Sequence, residues 1–189
     1  MIIENDVINE IIINKSKFIT YLYKVKSIDE VNKYLNKLKE EYKDATHICY
    51  AYIIDNNQRF NDDFEPSGTA GMPILEVLKK NNLNYIACFV IRYFGGIKLG
   101  AGGLVRAYSN SCSQALKMTK LEKSQKKYKI KLTISYTDNN IFEKIITNKN
   151  ILESSFQDNI TYIILITELE KEKLDSSNFK YEIIEETNF

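Results

Sequence analysis

Asp62–Ala107 reads DDFEPSGTAGMPILEVLKKNNLNYIACFVIRYFGGIKLGAGGLVRA, and it holds all seven glycines and both prolines of the 189-residue chain. Residues suited to unusual backbone angles are therefore gathered between Pro66 and Gly103, and the rest of the chain folds without them. Within the stretch, Tyr85–Tyr93 is nearly continuous in apolar residues, as expected of a strand covered on both faces. It is the candidate central strand. Pro73 fits the first turn of a short helix carrying Ile74, Leu75, Val77 and Leu78 and ending near Asn81. Phe94–Gly103 is the expected glycine loop. Leu104–Met118 follows as a helix with Leu104, Tyr108, Ser111 or Cys112, Ala115 and Met118 on one stripe.

Working outward toward the amino terminus, Asp6–Ile13 and Lys17–Val25 are rich in β-branched and aromatic residues and read as a hairpin across Asn14, Lys15 and Ser16. Ser27 and Glu30 make a capping box for an amphipathic helix that runs to about Tyr42. His47–Ile54 is a strand, and Asp55–Arg59 is a polar turn. Toward the carboxy terminus, Thr119–Lys127 (TKLEKSQKK) has four lysines and one apolar residue, and reads as a linker. Beyond it lie strand Tyr128–Tyr136, helix Asn139–Thr147, hairpin Ile151–Phe156 and Ile160–Ile166, helix Glu168–Asp175 and strand Phe179–Ile184. That order, βαββαβ, is the ferredoxin-like pattern. A domain boundary is expected near Leu121, dividing residues 1–120 from residues 121–189.

Composition narrows the function. With 26 basic and 25 acidic side chains the net charge is +1, so nucleic acid is not coated by bulk charge and any anion binding is local. Cys49, Cys88 and Cys112 form no CxxC pair, which suits reduced thiols in the cytoplasm. The amino-terminal MIIENDVINE lacks the lysines of a signal peptide, and no apolar run reaches the roughly 18 residues of a membrane span. No cofactor or metal is implied.

Two constellations carry possible chemistry. The glycine loop, with Gly95, Gly96, Gly100, Gly102 and Gly103, joins a buried strand to a helix start. Converging N–H groups and the helix dipole make an anion cradle there, with Arg92, Lys98 and Arg106 as charged partners. The alternative is that the glycines serve tight turning and close packing. Neither the dinucleotide fingerprint nor the Walker pattern is complete. The acidic segment Asp62, Asp63 and Glu65, followed by Ser67 and Thr69, would bind a divalent ion or supply a base. Equally, it would pair with Arg92, Lys98 or Arg106, or cap the following turn. His47, the single histidine, shares a strand face with Cys49, but further metal ligands and an orienting third group are missing. GxSxG is absent around Ser67, which argues against a serine hydrolase. Tyr50, Tyr52, Tyr93, Phe94 and Tyr108 would either stack on bases or fill the core.

KSKF at Lys15–Phe18, ATHICYAY at Ala45–Tyr52, DDFEPSGTAGMPIL at Asp62–Leu75 and RYFGGIKLGAGGLVRAYS at Arg92–Ser109 together resemble the YigZ/IMPACT family in order and spacing, over roughly Lys15–Leu116. One departure is Phe64, where the family usually has glycine. The resemblance implies an α+β protein of two domains. The first would have the fold of ribosomal protein S-five domain 2, and the second would be ferredoxin-like and similar to domain V of elongation factor G. It also implies a role in translational control, as in eukaryotic relatives. The expected protein is non-enzymatic and binds RNA, the ribosome or a translation factor. The alternatives are a hydrolase or phosphate-transfer enzyme using the glycine loop, and a pure protein-interaction module. The family's motif residues place the site at His47, Asp62, Asp63, Glu65, Ser67, Arg92, Lys98 and Arg106.

Overall fold

The computed structural model describes residues 1–146 and 150–188. They form two compact units, Met1–Lys123 and Ser124–Phe189. In the first, β1 (Ile2–Ile3), β2 (Val7–Ile13) and β3 (Ser16–Lys24) are followed by α1 (Ile28–Glu41), β4 (His47–Ile54) and β5 (Asn57–Asn61). Then come α2 (Gly71–Lys80), β6 (Ile86–Tyr93), α3 (Gly100–Leu116) and β7 (Leu121–Glu122). The main sheet is antiparallel with order β2-β3-β6-β4-β5.

β6 lies at the centre and is buried from Ile86 to Arg92, because both faces of the sheet are covered. On one face Phe18, Leu22, Cys49, Ala51, Cys88 and Val90 pack with Ile74, Leu78, Ala107, Tyr108 and Cys112 of α2 and α3. On the other, α1 stacks Tyr34 on Tyr23 with ring centroids 3.9 Å apart and sets Tyr42 against Tyr21. Asn14 and Lys15, both at positive φ, turn the β2–β3 hairpin in the left-handed geometry that matches strand twist. Ser27 caps α1 through the Glu30 N–H, while the Glu30 carboxylate accepts from the Lys26 N–H rather than from Ser27 as a closed capping box requires.

The second unit contains β8 (Lys126–Ile134), α4 (Asn139–Ile145), β9 (Ile151–Phe156), β10 (Ile160–Thr167), α5 (Glu168–Ser176) and β11 (Tyr181–Asn188). Its antiparallel order, β11-β8-β10-β9, together with the βαββαβ succession, is ferredoxin-like. Alternate residues of β8 and β10 (Tyr128, Ile130, Leu132, Ile134; Ile160, Tyr162, Ile164, Ile166) pack on Phe142 and Leu174 of the helices. Thr167 and Glu170 form a complete capping box for α5. The chain is thus α+β in two units. The expected helix Asn139–Thr147 is α4, and Thr147 lies outside the described residues.

Other expectations change as well, among them the final strand, which runs over Tyr181–Asn188 and not Phe179–Ile184. The turn at Asp55–Arg59 is shorter, and Asn57–Asn61 continues as an edge strand on β4. α3 begins at Gly100 and ends at Leu116, leaving Met118 58% exposed and off the buried stripe. The expected linker Thr119–Lys127 is partly structured. Leu121 and Glu122 pair with Ile3 and Ile2, Glu4 N–H donates to the Lys120 carbonyl, and β8 already starts at Lys126. A two-residue pairing carries no periodicity that a sequence can announce.

Candidate functional site

Antiparallel register aligns Phe18 of β3, Arg92 of β6 and His47 of β4 across the sheet, on the face that α3 covers. Arg92 is 5% exposed, so its charge needs a partner. Glu65 supplies it. Its Oε1 accepts from Arg92 Nη1 at 2.5 Å and from the buried Tyr108 hydroxyl at 2.8 Å, and His47 Nε2 stands 3.9 Å away. Arg92 Nη2 reaches Ser16 Oγ at 3.5 Å, while Arg92 Nε is buried with no acceptor. The guanidinium stands 5.6 Å from the ring centroids of both Phe18 and Phe94.

The acidic segment works mainly on backbone. The Asp62 carboxylate accepts from the N–H groups of Gly68, Ala70 and Gly71 and so closes the Pro66–Ala70 loop over the start of α2. Asp63 accepts from the Ile48 N–H at 2.6 Å, and its carbonyl bonds His47 Nδ1 at 2.7 Å. A carbonyl only accepts, so Nδ1 carries a proton, and the Nε2 side of the ring faces Glu65. Thr69 Oγ1 donates to the Pro66 carbonyl, and Ser67 is exposed. Among the described residues, no three His, Cys, Asp or Glu side chains are placed to hold a metal ion.

The glycine loop is pinned at one end. A Cβ on Gly95 would overlap the Lys15 carbonyl, and Gly95 N–H donates to Ser16 Oγ. Phe94 N–H donates to Thr46 Oγ1 at 3.0 Å. Gly96 and Gly100 sit at φ of 83° and 68°, where other residues are strained. α3 then starts with no side-chain cap and no acidic residue in its first turn. The N–H groups of its opening residues have no intrahelical acceptor by geometry. Gly103 packs tightly, since a Cβ there would stand 3.0 Å from the Leu99 Cβ and Leu99 would have to give way. Gly102 does not, because what lies near its missing Cβ is Arg106 Nη1, at 3.7 Å. That guanidinium therefore folds back over the first turn.

Two clefts flank Leu99. One, of about 310 Å³, is lined by His47, Glu65, Arg92, Phe94, Lys98 and Gly100, among others. The other, of about 440 Å³, holds Arg106 with Asn14 and Asn110. Thus Arg92, Lys98, Glu65 and His47 meet around one space, while Arg106 faces its neighbour. Asp62 and Asp63 act from behind. Ser16 and Thr46, which anchor the loop through Gly95 and Phe94, were missed as site residues, although both lie in the quoted motifs. Burial pushes the Cys49 thiol and the Tyr108 hydroxyl well above their ordinary ranges. Both therefore stay protonated and serve as donors, with Cys49 Sγ on the Asp62 carbonyl and Tyr108 on Glu65.

The same segment carries the likeness to known proteins. Residues 14–116 match the model of the Impact N-terminal domain. A protein of Haemophilus influenzae called an IMPACT family member is 39% identical over 163 residues, spanning 82% of this chain and 79% of that protein. The IMPACT family member YvyE of Bacillus subtilis is 53% identical over 111 residues, 57% of this chain but 51% of that protein, so the match spans about half of its length. Among solved structures, the crystal structure of a hypothetical protein aligns over 97% of this chain and 96% of its own, with TM-score 0.63 and 28% identity. A domain match over more than half of the chain, joined to the Haemophilus likeness over most of both proteins, makes this chain a member of the IMPACT family.

Proposed function

We propose that this protein is a non-enzymatic cytoplasmic factor that acts in translational control by binding RNA, free or in the ribosome, at the N-terminus of α3. One observation carries the reading. The start of α3 bears the positive end of the helix dipole, yet it is uncapped and free of acids, with Lys98 beside it and the Arg106 guanidinium folded over it. Two cations at that end oppose the dipole, a costly arrangement for stability alone and a favourable one for receiving a phosphate. Among the described residues, neither Lys98 nor Arg106 has a carboxylate within ion-pair distance. Arg92 plays a different part from the one its sequence position suggests, for its charge is met by Glu65 and it holds the floor of the cleft. The family likeness supports a setting in translation. No helix among the described residues is long and apolar enough to cross a membrane.

The test is affinity purification of the full chain from native lysate, with and without ribonuclease, beside the double variant Lys98→Ala, Arg106→Ala. RNA or ribosomes should be retained by the parent, released by ribonuclease, and absent from the variant. Equal retention by a folded double variant would remove the α3 terminus from the interface.

A further inference from the structure

Phe94 is 47% exposed, unusual for a phenylalanine whose backbone is pinned, since its N–H is held by Thr46 and the preceding residues belong to β6. Arg92 packs its buried guanidinium on this ring. A cation is attracted to the face of an aromatic ring, so this contact helps to fix the tilt of Phe94. The ring also lines the 310 Å³ cleft shared with Lys98 and the opening of α3. The walls between ring and helix end are apolar, from Pro66, Leu99 and Leu104. Arg92, whose Nε is buried without an acceptor among the described residues, is itself one of the residues that line the cleft. An anion receiver at one end, an aromatic platform at the other and apolar walls between them suit a group that is charged at one end and flat and apolar at the other. At about 310 Å³ the cleft stands at the small end of ligand sites, which run from ~300 to ~1,000 Å³.

Building on the anion-binding reading above, we infer that this cleft takes one unstacked nucleotide, its phosphate at the N-terminus of α3 beside Lys98 and its base on Phe94. The RNA that binds here is therefore single-stranded, because a duplex keeps its bases paired and stacked and presents no free face to the ring.

The chain has no tryptophan, so Phe94→Trp places a single fluorescent indole on the platform. In the full chain, a short oligoadenylate should quench its emission saturably. The same strand annealed into a duplex should bind roughly tenfold more weakly or worse, and inorganic phosphate should compete. Phe94→Leu keeps the apolar volume and removes the π face; it should weaken oligoadenylate binding by roughly tenfold, in line with stacking on one base, while leaving phosphate binding unchanged. Should phosphate bind in a Lys98-dependent way while the oligonucleotide fails to quench, or Phe94→Leu bind it as the parent does, the stacking site is wrong and the anion site stands. If neither phosphate nor oligonucleotide binds, the anion reading falls and takes this inference with it.

Discussion

Glu65 places one oxygen against the Arg92 guanidinium, the Tyr108 hydroxyl and, more distantly, His47, and both members of the ion pair are almost fully buried. Such a pair adds little over a well-packed apolar substitute, but removing one partner strands the other charge. Glu65→Ala should therefore lower unfolding free energy by about 3–5 kcal/mol. Urea denaturation checks this, and a loss under about 1 kcal/mol would mean that Arg92 finds water or another acceptor. The sequence left Glu65 with three basic candidates. Only strand register decides between them, because it turns Arg92 inward beside His47 and leaves Lys98 and Arg106 outside. Phe64 is the opposite case. The resemblance marked it as standing in a glycine position, and it adopts φ of 66° with 96% of its surface exposed, which is the geometry glycine supplies without strain.

Helix α3 separates the needs of stability from those of function. Ala101 lies exposed in its first turn, where an acidic residue ordinarily gains about 0.3–1 kcal/mol from the dipole. Ala101→Asp should accordingly hold or raise the thermal midpoint while it weakens binding of phosphate and RNA, because the carboxylate takes the place meant for the anion. A variant that binds RNA as well as the parent would show that the anion goes elsewhere. This arrangement was half legible. Periodicity located the helix, but glycine's poor helix propensity put its start at Leu104, four residues late. The buried stripe is legible as far as Ala115, and its end is not, because no glycine or proline announces the stop.

For the whole molecule, the two units were legible from texture, since glycine, proline and arginine vanish after Lys120 and the βαββαβ pattern follows. The join was not, because β7 closes on β1 through four residues with no pattern of their own. We propose that Met1–Lys123 folds alone, whereas a fragment ending at Thr119 melts at lower temperature. The shorter piece strips β7 from Ile2 and Ile3, which are 2% and 0% exposed. Circular dichroism melts compare the two, and equal midpoints would make β7 dispensable. The most direct test of the account is the affinity of the full chain for single-stranded RNA across a salt series, measured beside Lys98→Ala. If the N-terminus of α3 holds a phosphate with Lys98, the slope of log affinity against log salt becomes shallower by about 0.7 in the variant. An unchanged slope and an unchanged affinity in a folded Lys98→Ala protein would contradict it.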